Sequence, residues 1–238
     1  MKTLVGLLLM VLSLSACENL PELLETGAQI SSAVGYDKQS SLVGGIKEAL
    51  ELSSTRASQA LTKTGAYAEN PLYRIALPDS VQPVTKRMRQ FGLGAPVDKI
   101  EQLMNRGAEQ AAAEAKDVFI RAVREMSVND ALSIVQGGDN AATHYFRAQT
   151  ESSLRAKYLP IVQQNLSQVG FYNQYKQFLT TYKQLPISNK PDLDLEQHVL
   201  NQSLNALFSR VGDEEKLIRQ DPVGRGSSII GAVFGGGN

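Results

Sequence analysis

The stretch from Ala95 to Met126, APVDKIEQLMNRGAEQAAAEAKDVFIRAVREM, decides the fold class. Val97, Ile100, Met104, Ala108, Ala111, Ala115, Val118, Ala122 and Met126 recur in it at three- and four-residue steps. That spacing is one face of an α-helix, because side chains return to the same side about every 3.6 residues. The middle is unusually small: Gly107, Ala108, Ala111, Ala112, Ala113 and Ala115. Small side chains let neighbouring helices approach closely, so this element is predicted to sit at the centre of a bundle.

The same period extends outward on both sides. Upstream, Val43, Ile46, Leu50, Ser53, Ala57 and Leu61 line one face of a helix, with Gly65 as a candidate C-terminal cap. Residues 66–79 contain Pro71 and Pro78 and read as an extended connection, with room for a short two-stranded pairing. Asp79 or Ser80 then caps a short helix that Gly92 and Gly94 stop. Downstream, Ser127 opens a helix that Gly137-Gly138 closes, and Asp139 or Asn140 caps the next. Pro160 is predicted to kink or divide that helix, and Gly170 to end it. Helices follow from Phe171 to about Gln184 and from Leu195 to about Gln220. No strand-like alternation lasts long enough for a sheet. The expected architecture is all-α, a single-domain irregular bundle of seven or eight helices over residues 41–222.

The N-terminus carries an address. Lys2 precedes an apolar run from Leu4 to Leu14, too short to span a bilayer and suited to a signal peptide. The run leads into Leu14-Ser15-Ala16-Cys17, which resembles the lipobox of bacterial lipoproteins, where cleavage precedes a cysteine that takes a diacylglycerol. Residues 1–16 are read as the signal peptide, 17–40 as the lipidated N-terminus and tether, and 223–238 as a glycine-rich apolar tail. Cys17 is the only cysteine, so no internal disulfide forms. Several acyl chains hold a protein to a bilayer, whereas one alone is marginal. By resemblance to sorting rules, Glu18 after the cysteine favours the inner leaflet of the outer membrane, facing the periplasm.

Charge excludes other classes. Twenty-four basic and 24 acidic side chains balance in the 238 residues, which rules out a strongly basic nucleic-acid binder. His144 and His198 lie on separate helices, and Asp194 four residues before His198 makes only two zinc ligands. Asp192, Asp194 and Glu196 begin like a calcium loop, but Gln197 and Ser203 stand where Gly and Glu are needed. Lys63-Thr64-Gly65 matches one box of penicillin-binding enzymes, yet no Ser-x-x-Lys supplies the nucleophile. No metal, cofactor or catalytic residue is expected, and the protein is read as no enzyme.

Three stretches are distinctive together: Asn70-Pro71 with Arg74-Ile75-Ala76-Leu77-Pro78, Leu103 through Glu109, and Asp139 through Arg147. With the lipobox and Asp221-Pro222, they resemble a bacterial family of unknown function numbered 4197, over about Leu42 to Phe234. The resemblance implies a helical domain, often behind a lipoprotein signal, and implies no catalytic residue or ligand. Family members often end in a basic amphipathic turn, where this chain has Ile229-Ile230-Gly231-Ala232-Val233-Phe234-Gly235.

One segment invites a ligand. Asp139, Thr143 and Arg147 step by four and would share a helix face, with His144 beside them and Tyr145 and Phe146 between. A helix N-terminus with His and Arg nearby can hold an anion. Phe171, Tyr175, Phe178 and Tyr182 form an aromatic stripe that either packs into the core or borders a groove. The candidate ligand residues are therefore Asp139, Thr143, His144, Tyr145, Arg147, Tyr175 and Phe178. The plainer reading is a capping acid, a surface arginine and core aromatics. The function expected is a membrane-anchored envelope lipoprotein acting as a non-enzymatic interaction module, its partners the membrane and another envelope protein. The alternative is a carrier or sensor for a small apolar or anionic ligand. For a module, the Ile229–Phe234 tail is a candidate exposed apolar patch.

Overall fold

The computed structural model of the protein describes residues 42–168, 170–184, 194–228 and 230–231. Cys17, the tether, the loop at Pro186 and Pro191, and the side chains of Phe171 and Tyr182 lie outside the described residues. A compact unit begins at Leu42. It is all-α: helix α1 (42–61), α2 (Gln82–Gln90), α3 (Ala95–Ala111), α4 (Ala115–Glu125), α5 (Val128–Gln136), α6 (Ala141–Gln168), α7 (Phe171–Gln184), α8 (Leu195–Gln220) and the single turn α9 (Pro222–Arg225). No strand occurs among the described residues.

The small-residue helix is central as expected. α3 packs against α6, α7 and α8, while α6 runs along α8. Val97, Ile100, Met104, Ala108 and Ala111 are buried. At Gly107 the approach is so close that an added Cβ would lie 2.7 Å from Leu166 Cδ2 of α6. Phe119 of α4, Phe146 of α6 and Phe208 of α8 meet where these helices converge. Phe119 has its ring centre 5.0 Å from Phe146 and 5.9 Å from Phe208, in tilted and edge-on arrangements that aromatic quadrupoles favour.

Several boundaries follow the local chemistry. Ser127 caps α5 through a full capping box with Asp130, and Gly170, at φ +75°, follows α6 in a backbone conformation that other residues resist. Asp194 caps α8, accepting from the Gln197 N–H at 3.0 Å.

Four expectations need correction. The single helix expected over Ala95–Met126 is broken by a 3-10 turn at Ala112–Glu114, where Ser58 Oγ of α1 donates to the Ala112 carbonyl at 2.8 Å. A side chain inserted into the helical ladder is a standard cause of such a break. Pro160 does not divide α6: it lies on an exposed position, as does Ala156, whose carbonyl loses its partner toward solvent. Leu154, Tyr158, Val162 and Leu166, all buried, anchor the helix on both sides of the proline. Asp79 and Ser80 do not cap α2; they begin a 3-10 turn, Asp79–Val81, and α2 starts only at Gln82 with no side-chain cap. Gly65 lies beyond a C-cap, four residues past the last helical residue of α1, and turns the chain at φ +84°.

The tail is partly packed. Ile230 is buried against Ala49 and Ile218, so it does not belong to an exposed apolar patch. Ile229, Val233 and Phe234 lie outside the described residues.

Candidate functional site

The segment Asp139–Arg147 lies where α5 ends and α6 begins. Helix N-termini present N–H groups that no carbonyl of their own helix can satisfy. Here the Glu215 carboxylate of α8 takes that place, accepting from the Ala142 N–H at 3.0 Å, the Thr143 N–H at 2.9 Å and Thr143 Oγ1 at 2.8 Å. Glu215 is buried, and Arg219, one turn further along α8, holds it from behind at 2.9 Å. The same guanidinium donates to the Ile134 carbonyl near the end of α5, also at 2.9 Å. The anion at this helix N-terminus is therefore the protein's own. A cavity of about 20 Å³ beside it, lined in part by Leu50, Ser53, Ala142 and Glu215, is of a size for water.

The other candidate residues do not converge. Asp139 is exposed and precedes α6, so it does not share a helical face with Thr143 and Arg147. His144 is exposed. The half-buried Tyr145 places its ring edge-on to Phe146, 6.2 Å between centres; burial, then Asp130 and Glu125, push its hydroxyl pKa up. Arg147 lies over the Phe208 ring at 4.4 Å and pairs with Glu151 at 3.5 Å, which makes it part of the α6–α8 contact. Phe178 is buried and Tyr175 half-buried against the core, both on α7, which packs on α3.

A second polar centre has no counterpart in the sequence expectations. Glu101, Asn105 and Glu109 step by four along α3 and are all buried. They face the connection between α1 and α2, which is fastened to them rather than paired as strands. Asn105 Oδ1 accepts from the Ile75 N–H at 2.9 Å while Asn105 Nδ2 donates to the Ile75 carbonyl at 2.8 Å. Glu101 accepts from the Leu77 N–H at 3.3 Å and pairs with Arg74 at 3.0 Å and Arg89 at 3.3 Å. Glu109 accepts from the Gly65 N–H at 2.8 Å, and burial pushes its pKa above the ordinary carboxylate range. From α8, His198 Nε2 donates to the Ala76 carbonyl at 2.8 Å. The signal was present in the sequence: polar residues four apart, bordering an apolar stripe, have to find partners when the helix is central.

A family model matches residues 37–235, most of the chain. The chain belongs to DUF4197, described as a protein of unknown function. No curated protein and no solved structure matches it significantly. In this DUF4197 chain, the three distinctive stretches meet at the two polar centres just described. Residues 74–77 dock on residues 101–109, and the start of α6 docks on Glu215. Of their polar side chains, Asn105, Glu109 and Thr143 make hydrogen bonds at these centres.

The connection between α1 and α2, residues 62–81, forms a strap across α3 and also borders an open groove in the DUF4197 chain, with Glu69, Tyr73, Arg210 and Asp213 on its walls and a volume of about 370 Å³. Tyr73 Oη donates to Asp213 Oδ2 at 2.7 Å, and Arg210 pairs with Glu214 at 2.6 Å. Burial, followed by the hydrogen bond to Asp213, raises the Tyr73 pKa. Among the described residues, no group of three or more His, Cys, Asp or Glu is placed to hold a metal ion.

Proposed function

We propose that the protein is a bacterial envelope lipoprotein, acylated at Cys17 and held at the periplasmic face of the outer membrane, whose helical unit is a non-enzymatic interaction module. The observation that carries this reading is the run Leu4–Leu14 leading into Leu14-Ser15-Ala16-Cys17. No helix among the described residues is long and apolar enough to cross a membrane, so in this reading the acyl chains at Cys17 supply the anchor. The internal use of Glu215, Asn105 and Glu101 supports a module that meets its partners through its surface.

The test is labelled palmitate incorporation with membrane fractionation. The wild-type chain is expected to take up label and to fractionate with outer membranes. Cys17→Ala is expected to accumulate as an unprocessed, unlabelled precursor. Recovery of Cys17→Ala in mature form with the membranes would overturn the reading.

A further inference from the structure

The turn between α2 and α3 stands out from the rest of the described surface. Phe91 is 78% exposed and Leu93 45% exposed, two large apolar side chains within three residues. Gly92 between them takes φ +76°, which folds the chain into a tight projecting corner. Exposed apolar residues scattered singly are ordinary, but two at one corner with cations around them are not. Residues 82–97 contain Lys86, Arg87 and Arg89 and no acid. Arg87 and Phe91, four apart at the end of α2, share a side. Lys99 adds a further exposed cation in the first turns of α3.

The acids that follow are already neutralised. Asp98 accepts from Arg89 Nη2 at 2.8 Å and Nε at 3.1 Å, and Glu101 is held by Arg89 and Arg74. Lys86 and Arg87 are exposed and pair with no acid among the described residues. The corner therefore presents an aromatic and an aliphatic side chain inside a positive rim, on a chain whose overall charge is zero.

We infer that the α2–α3 corner is a second membrane contact, inserting Phe91 and Leu93 into a bilayer that bears anionic headgroups. Apolar tips flanked by Lys and Arg suit the bilayer interface, where the tips enter the acyl boundary and the cations stay among the headgroups. The inference rests on the lipoprotein reading for its geometry: 25 residue steps separate Cys17 from Leu42, where α1 begins. At full extension these span at most about 90 Å, which sets the reach within which the corner meets the membrane.

The experiment uses the full lipidated protein in vesicles, with an environment-sensitive fluorophore on Leu93→Cys and, as control, on His144→Cys. In vesicles rich in phosphatidylglycerol, the label at position 93 is expected to shift to the blue and to resist aqueous iodide. In neutral phosphatidylcholine vesicles it stays in water, and the label at position 144 stays in water in both. Adding Lys86→Gln and Arg87→Gln is expected to lower the ratio of docked to undocked corner about thirtyfold. A water-exposed label at position 93 on both vesicle types, with the protein still floating through Cys17, overturns the inference and leaves the lipoprotein reading standing. Shielding on anionic vesicles by a chain found to carry no acyl group does the reverse. Shielding without vesicles would mean that a second copy covers the corner, and also overturns the inference.

Discussion

At the strap, Ile75 presents both an N–H and a C=O to α3, and the Asn105 carboxamide meets one with its oxygen and the other with its nitrogen. At the start of α6, the backbone presents N–H groups alone, and the group that meets them is the acceptor-only carboxylate of Glu215. The two regions solve one problem, buried backbone without a secondary-structure partner, with different side-chain chemistry. An extended segment alternates donors and acceptors, so a neutral amide fits and its burial costs little. A helix N-terminus gathers donors and positive potential, so an anion fits, provided its desolvation is offset. Arg219 and the α6 N-terminus supply that offset here.

The comparison can be broken at either side. Asn105→Leu orphans two buried backbone groups and is expected to cost about 3 kcal/mol of stability in urea unfolding. A loss under about 1 kcal/mol would mean that Glu101 and His198 hold the strap without it. The reciprocal change, Glu215→Gln, keeps one acceptor but turns an amide NH₂ toward the N–H groups of α6 and leaves Arg219 without its anion. We expect about 2 kcal/mol, and no loss would show that the charge of Glu215 is irrelevant to the helix.

A pH titration sharpens the contrast further. Glu109 has a folded pKa raised above its ordinary value, chiefly by burial. Its contribution to stability is therefore fully present below the unfolded carboxylate pKa and is lost as pH rises through the folded value. Relative to Glu109→Gln, the wild type should lose melting temperature as pH rises across that window; parallel curves would refute the assignment. The smallest effect belongs to His144→Ala. With His144 exposed, the change in stability should stay within about 0.5 kcal/mol, and a larger loss would place it in a buried network that the structure does not show.

Much of the fold is legible in the apolar period. Val97 to Ala111 read as a central helix and form one, Ser127 reads as a cap and forms a capping box, and Gly170 reads as a stop and turns left-handed. These are local properties, settled within a turn or two of chain. Pro160 misleads because its penalty is local while the packing that overrides it, through Leu154, Tyr158, Val162 and Leu166, is not. At the candidate site the residue types were legible and their partners were not. Thr143 and Arg147 were visible as polar groups near a helix start, but Glu215 lies 72 residues beyond Thr143, and Arg147 is held by Phe208 of the same distant helix.

The sequence by itself determined the helical class, most helix boundaries and the small-residue centre of α3, because periodicity and capping are written in neighbouring residues. Only the tertiary structure decided that the anion at the α6 N-terminus is Glu215, that Asn105 clasps a strap 30 residues upstream, and that Phe91 and Leu93 are left outside. The physical reason is that a buried polar group must be satisfied by whatever the packing brings near it, and packing joins residues whose separation along the chain carries no mark of their meeting.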